Sequence, residues 1–276
     1  MRALGIDIGG SGVKGAVVDT RTGKLVSKRF RLQTPRPATP KAVARTVASV
    51  IKHFRWRGPI GCGFPGPILH GIVVTATNLD PAWDNEDAEG LFRKVAGRQV
   101  AVLNDADAAG IAEMVFGAGK GIRGVVILLT LGTGIGSAVF VDGILVPNTE
   151  FGQMEVRGKI AEQRAAARIR KEERLSWQSW GRRLNVYLRV LETLLYPDLL
   201  VIGGGVSRRW KKFSGYLETR AKAIPAQLQN EAGIVGAALY AARRRRPPGH
   251  SARKSSRVFD RVDVKRSSPS GKHSFL

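Results

Sequence analysis

Cysteine is almost absent from this 276-residue chain. Cys62 stands alone, which excludes an internal disulfide and any cysteine-rich zinc cluster, and fits a reducing compartment. Long apolar runs are missing as well. None approaches the ~20 residues of a membrane span, and the chain opens on a strand pattern with no charged-then-apolar leader, so no signal peptide is expected. The cytoplasm is the expected compartment. Acidic residues are scarce: 22 stand against 45 Lys and Arg, a net charge of +23. Part of the excess is local, since Arg243 to Leu276 holds 11 basic and 2 acidic residues, but the preceding body still carries 34 against 20. An evenly basic body points to polyanionic ligands without saying which.

What is present is ordinary globular material, 43% hydrophobic, enough for one large core or two moderate ones. Three apolar strands run into glycine. Leu128-Leu-Thr-Leu-Gly-Thr-Gly-Ile-Gly-Ser137 places Gly132, Gly134 and Gly136 at alternate positions, interleaved with Thr130, Thr133 and Ser137. Leu4 to Val18 reads as strand, Gly/Ser turn and strand, with Asp7 near the end of the first and Lys14 just past the turn. Leu199-Leu-Val-Ile-Gly-Gly-Gly205 is the third. Glycine lets backbone N–H groups approach a ligand closely, and such loops receive phosphate. One such loop also serves as a plain hairpin; three in one chain suggest the walls and floor of a nucleotide-sized cleft.

Taken in order, strands are expected at about 3–8, 13–19 and 24–32. Thr39 and Pro40 then form an N-cap and first helical residue, and Val43, Val47, Val50, Ile51 and Phe54 share one helical face. An apolar strand breaks into the Phe64-Pro65-Gly66-Pro67 loop, a short strand follows at 72–76, and a helix is expected over 91–95. Strand 100–103 ends at Asn104-Asp105, immediately before a small-residue helix over 106–116. In open sheets, ligands bind at such a junction. Strands at about 125–131 and 136–146 repeat the opening plan. Helices are expected over 158–173, 177–195, 207–222 and 231–246, with a strand at 199–203. Past Arg246 the composition is rich in Ser, Lys and Arg and is expected to stay disordered.

Asp7-Ile-Gly-Gly-Ser-Gly-Val-Lys14, Leu103-Asn-Asp-Ala-Asp-Ala-Ala-Gly110, Leu131-Gly-Thr-Gly-Ile-Gly-Ser137 and Glu150-Phe-Gly152 resemble the ROK family of sugar kinases and repressors. Within it the chain is most similar to the polyphosphate glucokinases, through Thr34-Pro-Arg-Pro-Ala-Thr-Pro40, Trp56-Arg-Gly-Pro59, Val146-Pro-Asn-Thr-Glu150 and the stretch Pro225 to Gly236. The similarity covers residues 3 to 242. It implies an α/β, actin/hexokinase-type (ribonuclease H-like) fold of two domains around a cleft: 1–118 joined by the C-terminal helix, 119–230, and a basic tail over 247–276.

The resemblance also assigns roles. Asp105 would be the general base that takes the proton of a sugar 6-hydroxyl. Asp7 would orient Mg²⁺ through water, and phosphates would meet Asp7, Gly9, Gly10, Ser11, Gly12, Lys14, Gly132, Thr133, Gly134, Gly203, Gly204 and Gly205. The sugar would meet Phe64, Pro65, Gly66, Asn78, Asn104, Asp105, Glu150, Gln153 and Glu162. For Asn104-Asp105 the competing use is to cap the following helix. The implied reaction is phosphorylation of glucose, with mannose a further acceptor, by inorganic polyphosphate and ATP. Basic pairs such as Arg208-Arg209 and Lys211-Lys212 are candidates for the polymer. A homodimer is implied, with no membrane partner and nucleic acid held only non-specifically by the tail. Two departures stand out. No cysteine-rich zinc motif follows Gln153, so zinc is not expected, and Gln153 itself stands where the family has histidine. That glutamine keeps an alternative open, a catalytically weakened sugar-binding or sensor protein with a polyanion-binding tail.

Overall fold

The computed structural model describes residues 1–76 and 79–244. Asn78 and the 247–276 tail lie outside them. The first strands are β1 (Arg2–Gly9), β2 (Gly12–Asp19) and β3 (Phe30–Leu32), followed by helix α1 (Pro40–His53) and β4 (Ile60–Phe64). A small hairpin, β5 (Ile68–Leu69) and β6 (Ile72–Val73), precedes α2 (Ala88–Ala96), β7 (Val100–Asn104) and α3 (Asp105–Phe116). The second half opens with β8 (Val125–Leu131), β9 (Ile135–Val141) and β10 (Ile144–Val146), then the hairpin β11 (Glu155–Val156) and β12 (Lys159–Ile160). Helices α4 (Glu162–Ala165), α5 (Ala167–Glu172) and α6 (Trp177–Leu195) lead to β13 (Leu199–Gly203), β14 (Lys222–Pro225) and α7 (Ala232–Arg244).

Two five-stranded sheets result, ordered β3-β2-β1-β4-β7 and β10-β9-β8-β13-β14. Each has the same plan. The first three strands are antiparallel neighbours, and the fourth and fifth add in parallel beside the first. In both, the turn between the first two strands is glycine-rich. It projects past the C-terminal end of the parallel strands, which is where open α/β sheets bind ligands.

Local chemistry accounts for the elements that hold this plan. Thr39 accepts the Ala42 amide at 3.4 Å and Pro40 follows, so α1 starts where a cap and a fixed φ coincide. The side chains of Val43, Val47 and Val50 are wholly buried against Leu4, Ile6 and Val13 of the first sheet. A second core gathers Ile127, Leu129 and Ile202 with Trp180, Leu184 and Leu188 of α6. A third joins Ala108 and Ile111 of α3 to Ile234, Ala237 and Ala238 of α7 and to Leu128, Ala138 and Val201. The buried Glu113 carboxylate closes the end of α3 by accepting the Ala118, Gln227 and Leu228 amides at 2.8, 3.1 and 2.7 Å.

Five elements differ from the sequence expectation, the first being the 72–76 strand, of which only Ile72–Val73 forms. Only Phe30–Leu32 of the 24–32 segment is a strand, with Leu25 making a lone bridge to Val18. The 136–146 strand is broken by a turn with positive φ at Asp142 and Gly143. The 158–173 helix begins only at Glu162 and breaks at Ala166, whose ψ of 150° is extended. The 207–222 segment is no α-helix: short 3-10 turns at Gly205–Lys212 and Ser214–Tyr216 precede the edge strand β14. Arg208, Arg209, Lys211 and Lys212 offer no apolar stripe that could seat a longer helix.

Candidate active site

A cleft of about 810 Å³ lies between the two glycine turns. One wall is Gly9, Gly10 and Ser11; the opposite one is Thr130, Gly132 to Gly136 and Gly204. Neighbouring side chains hold the first turn. Thr34 Oγ1 donates to the Gly9 carbonyl at 2.5 Å, and the Arg31 guanidinium donates to the Ser11 carbonyl at 2.8 Å. The second turn is tied by the Gly132 amide donating to the Gly134 carbonyl at 3.0 Å, while Glu162 accepts the Ile135 amide at 3.3 Å. Gly204 has φ +76, and a Cβ there would strike the Leu131 backbone, so the floor is a position for glycine.

Asn104 and Asp105 divide the work of the β7–α3 junction. The Asn104 side-chain oxygen accepts the Ala106 and Asp107 amides at 2.8 and 3.1 Å, which makes Asn104 the N-cap. Asp105 is therefore free of capping duty and lines the cleft. Burial pushes its carboxyl up to about 7; the charge of Asp7 adds to this, the Ala106 amide opposes it, and Glu150 and Asp107 contribute smaller increments. A half-buried carboxylate that titrates near neutrality is suited to accept a proton from an alcohol.

Glu150 faces the same space and accepts from Asn104 Nδ2 at 3.3 Å. Burial, then Glu162, raises its carboxyl above the usual range. Ser137 fixes the segment carrying Glu150 from both sides: its hydroxyl donates to the Thr149 carbonyl at 2.6 Å and accepts the Phe151 amide at 3.0 Å. Asn148 ties this segment to the Pro65–Pro67 loop. Its side chain accepts the Ile68 amide and donates to the Ile68 carbonyl, both at 2.9 Å, and its own amide donates to the buried Asp107 at 2.9 Å. Pro65, Gly66 and Glu150 thus belong to one connected frame.

Of the residues singled out in the sequence, Gly9, Gly10, Ser11, Pro65, Gly66, Asn104, Asp105, Gly132, Thr133, Gly134, Glu150, Gln153, Glu162 and Gly204 line the cleft together. Phe64 does not. It is fully buried and packs on Trp83 at 4.7 Å between ring centroids, supporting the loop from beneath. Gly12, Gly203 and Gly205 are also absent from the lining, as are Asp7 and Lys14, which pair with each other at 3.2 Å. Pro67, Thr75, Thr130, Ile135 and Gly136 line the cleft and were not singled out as site residues. Thr130 and Gly136 fall inside the glycine-rich stretch and Pro67 inside the proline loop, so the signal was there; Thr75 carries none.

Known proteins share this fold and much of its sequence. The family model described as the ROK family matches residues 3–160. The polyphosphate glucokinase of Mycobacterium tuberculosis is 50% identical over 237 residues, covering 86% of this chain and 89% of that protein. The Streptomyces coelicolor glucokinase is 28% identical, covering 85% and 96%. Among solved structures, an inorganic polyphosphate/ATP-glucomannokinase from Arthrobacter sp. strain KM superposes with a TM-score of 0.85 at 47% identity, covering 88% of this chain and 99% of that one. A ROK glucokinase from Streptomyces griseus in complex with glucose and AMPPNP gives 0.76 at 25%, covering 88% and 100%. With two sheets of one plan, glycine turns across a cleft, a family model matched over residues 3–160 and half of 237 aligned residues identical to one such relative, the chain belongs to the ROK family.

Proposed function

We propose that this protein transfers a phosphoryl group from inorganic polyphosphate, and also from ATP, to the 6-hydroxyl of glucose. The observation that carries the reading is Asp105, a carboxylate titrating near neutrality in a cleft walled by two amide-lined turns. The polyphosphate glucokinase and the polyphosphate/ATP-glucomannokinase named above support the donor. In the reaction Asp105 takes the hydroxyl proton, the sugar oxygen forms its bond to the terminal phosphorus, and the bond from that phosphorus to the bridging oxygen breaks with its electrons leaving on the shortened donor. Such transfer needs mainly positioning and charge stabilisation. The amides of Gly10, Ser11, Thr133 and Gly134 receive the donor phosphates, while that of Gly132 holds the turn. Asn104, Glu150, Gln153 and Glu162 hold the sugar hydroxyls, each bond contributing on the order of 1 kcal/mol.

Among the described residues no group of three or more His, Cys, Asp or Glu could hold a metal ion. Asp7 lies outside the cleft lining but close enough for its charge to raise Asp105, and one such carboxylate fits Mg²⁺, which keeps several waters and takes its other ligands from phosphate. Asp7 would hold it through water, and the bound ion would neutralise charge on the donor. No helix among the described residues is long and apolar enough to cross a membrane. The lone Cys62 is buried, with its thiol pushed well up by desolvation, which suits the reducing cytoplasm where we place the enzyme.

Purified protein with glucose and Mg²⁺, given polyphosphate or ATP, is expected to form glucose 6-phosphate with each. Glucose binding without turnover on any donor contradicts the reading and favours a sugar sensor. Gln153, exposed in the cleft, reads the sugar in this account. Gln153→His is expected to shift the apparent glucose affinity by up to about tenfold, the worth of one neutral hydrogen bond, and to change the glucose/mannose ratio. If both stay fixed, position 153 does not contact the sugar.

A further inference from the structure

The β1–β2 turn is a wall shared by two cavities. On its far side lies a trough of about 460 Å³ lined by Gly10, Ser11, Gln33, Thr34, Pro35 and Arg36. Its geometry is set by the two contacts that brace the turn, Thr34 on the Gly9 carbonyl and Arg31 on the Ser11 carbonyl, so one guanidinium already stands at the tip. Arg36 is exposed and makes no ion pair among the described residues. The surrounding chain has one sign of charge. Between Thr20 and Leu79 there are eleven Lys and Arg and no Asp or Glu, and Lys28, Arg29, Arg31, Arg36 and Lys41 are all exposed. The first turn of α1, which begins at Pro40, also holds no acid, so the positive end of its dipole is not offset.

We infer that a donor chain longer than the phosphates held between the two turns leaves the cleft across Gly10 and Ser11 and lies in the Gln33–Arg36 trough. The inference rests on the donor proposed above. Every internal unit of an unbranched polyphosphate carries the same single negative charge, so a groove of backbone amides, hydroxyls and guanidinium groups suffices for it. The other basic run near the cleft, Arg208, Arg209, Lys211 and Lys212, follows Gly204, but none of the four lines the cleft or the trough.

The test compares wild type, Arg36→Gln, Arg36→Lys and Arg208→Gln/Arg209→Gln. Binding of tripolyphosphate and of long-chain polyphosphate is measured by calorimetry across a salt series, alongside glucose turnover. Arg36→Gln is expected to lower the long-chain preference over tripolyphosphate about fivefold or more, and to flatten the log–log salt slope for the long chain by about 0.7 for each phosphate no longer neutralised. Arg36→Lys should recover part of the preference, and the double variant should keep all of it. The inference is overturned if Arg36→Gln retains the wild-type preference, if it weakens both ligands in equal proportion, or if only the double variant loses the preference. Failure of the donor reading looks different: wild type would bind the long chain with the Arg36 dependence yet leave glucose unphosphorylated by it.

Discussion

Asp105→Asn is expected to lower kcat by about 10²–10⁴-fold, the usual worth of a positioned general base, while the protein stays folded. Asparagine matches the shape of aspartate and cannot take a proton. Because Asn104 caps α3, the substitution leaves the helix start intact. The wild-type pH profile supplies the second half of the prediction. A base must be ionised to act, and the Asp105 carboxyl is pushed up to about 7, so kcat/KM should fall roughly tenfold per pH unit on the acid side of that value. In Asp105→Asn the residual rate should lose this limb. Stability should move the other way. A carboxyl raised by folding contributes stability that is full below its unfolded value near 3.8 and is lost as pH rises through about 7. At pH 8 the asparagine variant should therefore melt no lower than wild type, which separates lost chemistry from lost structure.

Gly236→Ala should have the largest effect on stability. Alanine in a helix normally gains about 1 kcal/mol over glycine, yet here the added Cβ would fall inside the Ala108 carbonyl of α3. That obstacle is backbone, so no side-chain rotation relieves it. Another face of α7 meets the first sheet equally closely, since a Cβ on Gly5 or Gly61 would strike the carbonyls of Ile234 or Ala237. With α7 pressed on β1, β4 and α3 at once, the helix must lift from all of them. Overpacking typically costs about 1–3 kcal/mol and more where relaxation is blocked. A net loss of about 2 kcal/mol or greater is expected, a fall in Tm of about 4–8 °C for a domain of this size. Activity should fall too, because α3 carries Asp105 at its first turn. Gly215→Ala, with open space around its Cβ, should stay within about 0.5 kcal/mol of wild type. Equal melting temperatures for the two variants would contradict this packing.

Much of this arrangement was legible in the chain because local signals agreed. The strands before and after the Gly10-Ser11 turn, the Thr39-Pro40 helix start and the β7–α3 junction each combine an apolar pattern with a residue that can only punctuate it. The expected strand bounds for β1 and β8 fall close to those observed, Arg2–Gly9 and Val125–Leu131. Where punctuation was weak, the reading failed. The β11–β12 hairpin turns on Arg157 and Gly158, both at positive φ, and nothing about Arg157 advertises that conformation. β14 is four residues long, ends in Pro225 and is a strand because β13 lies beside it; tertiary pairing, not propensity, decides it.

The candidate site divides along the same line. Glycine, Asn104 and Asp105 mark themselves by their position at strand ends. The Asn148 bracket on Ile68 and Asp107 joins residues 80 and 41 positions apart, and Glu113 reaches Gln227 and Leu228 from more than a hundred positions away. No local pattern encodes such pairs. Phe64 shows the converse: it belongs to a loop that faces the cleft, yet its ring is spent on Trp83 beneath it.

The most direct test of the central claim is a structure of the protein with glucose bound. The sugar should lie against Asn104, Glu150 and Gln153 with its 6-hydroxyl oxygen within about 3.2 Å of the Asp105 carboxylate, pointing toward the two glycine turns. A hexose seated elsewhere, or one in the cleft with another hydroxyl at Asp105, contradicts the account.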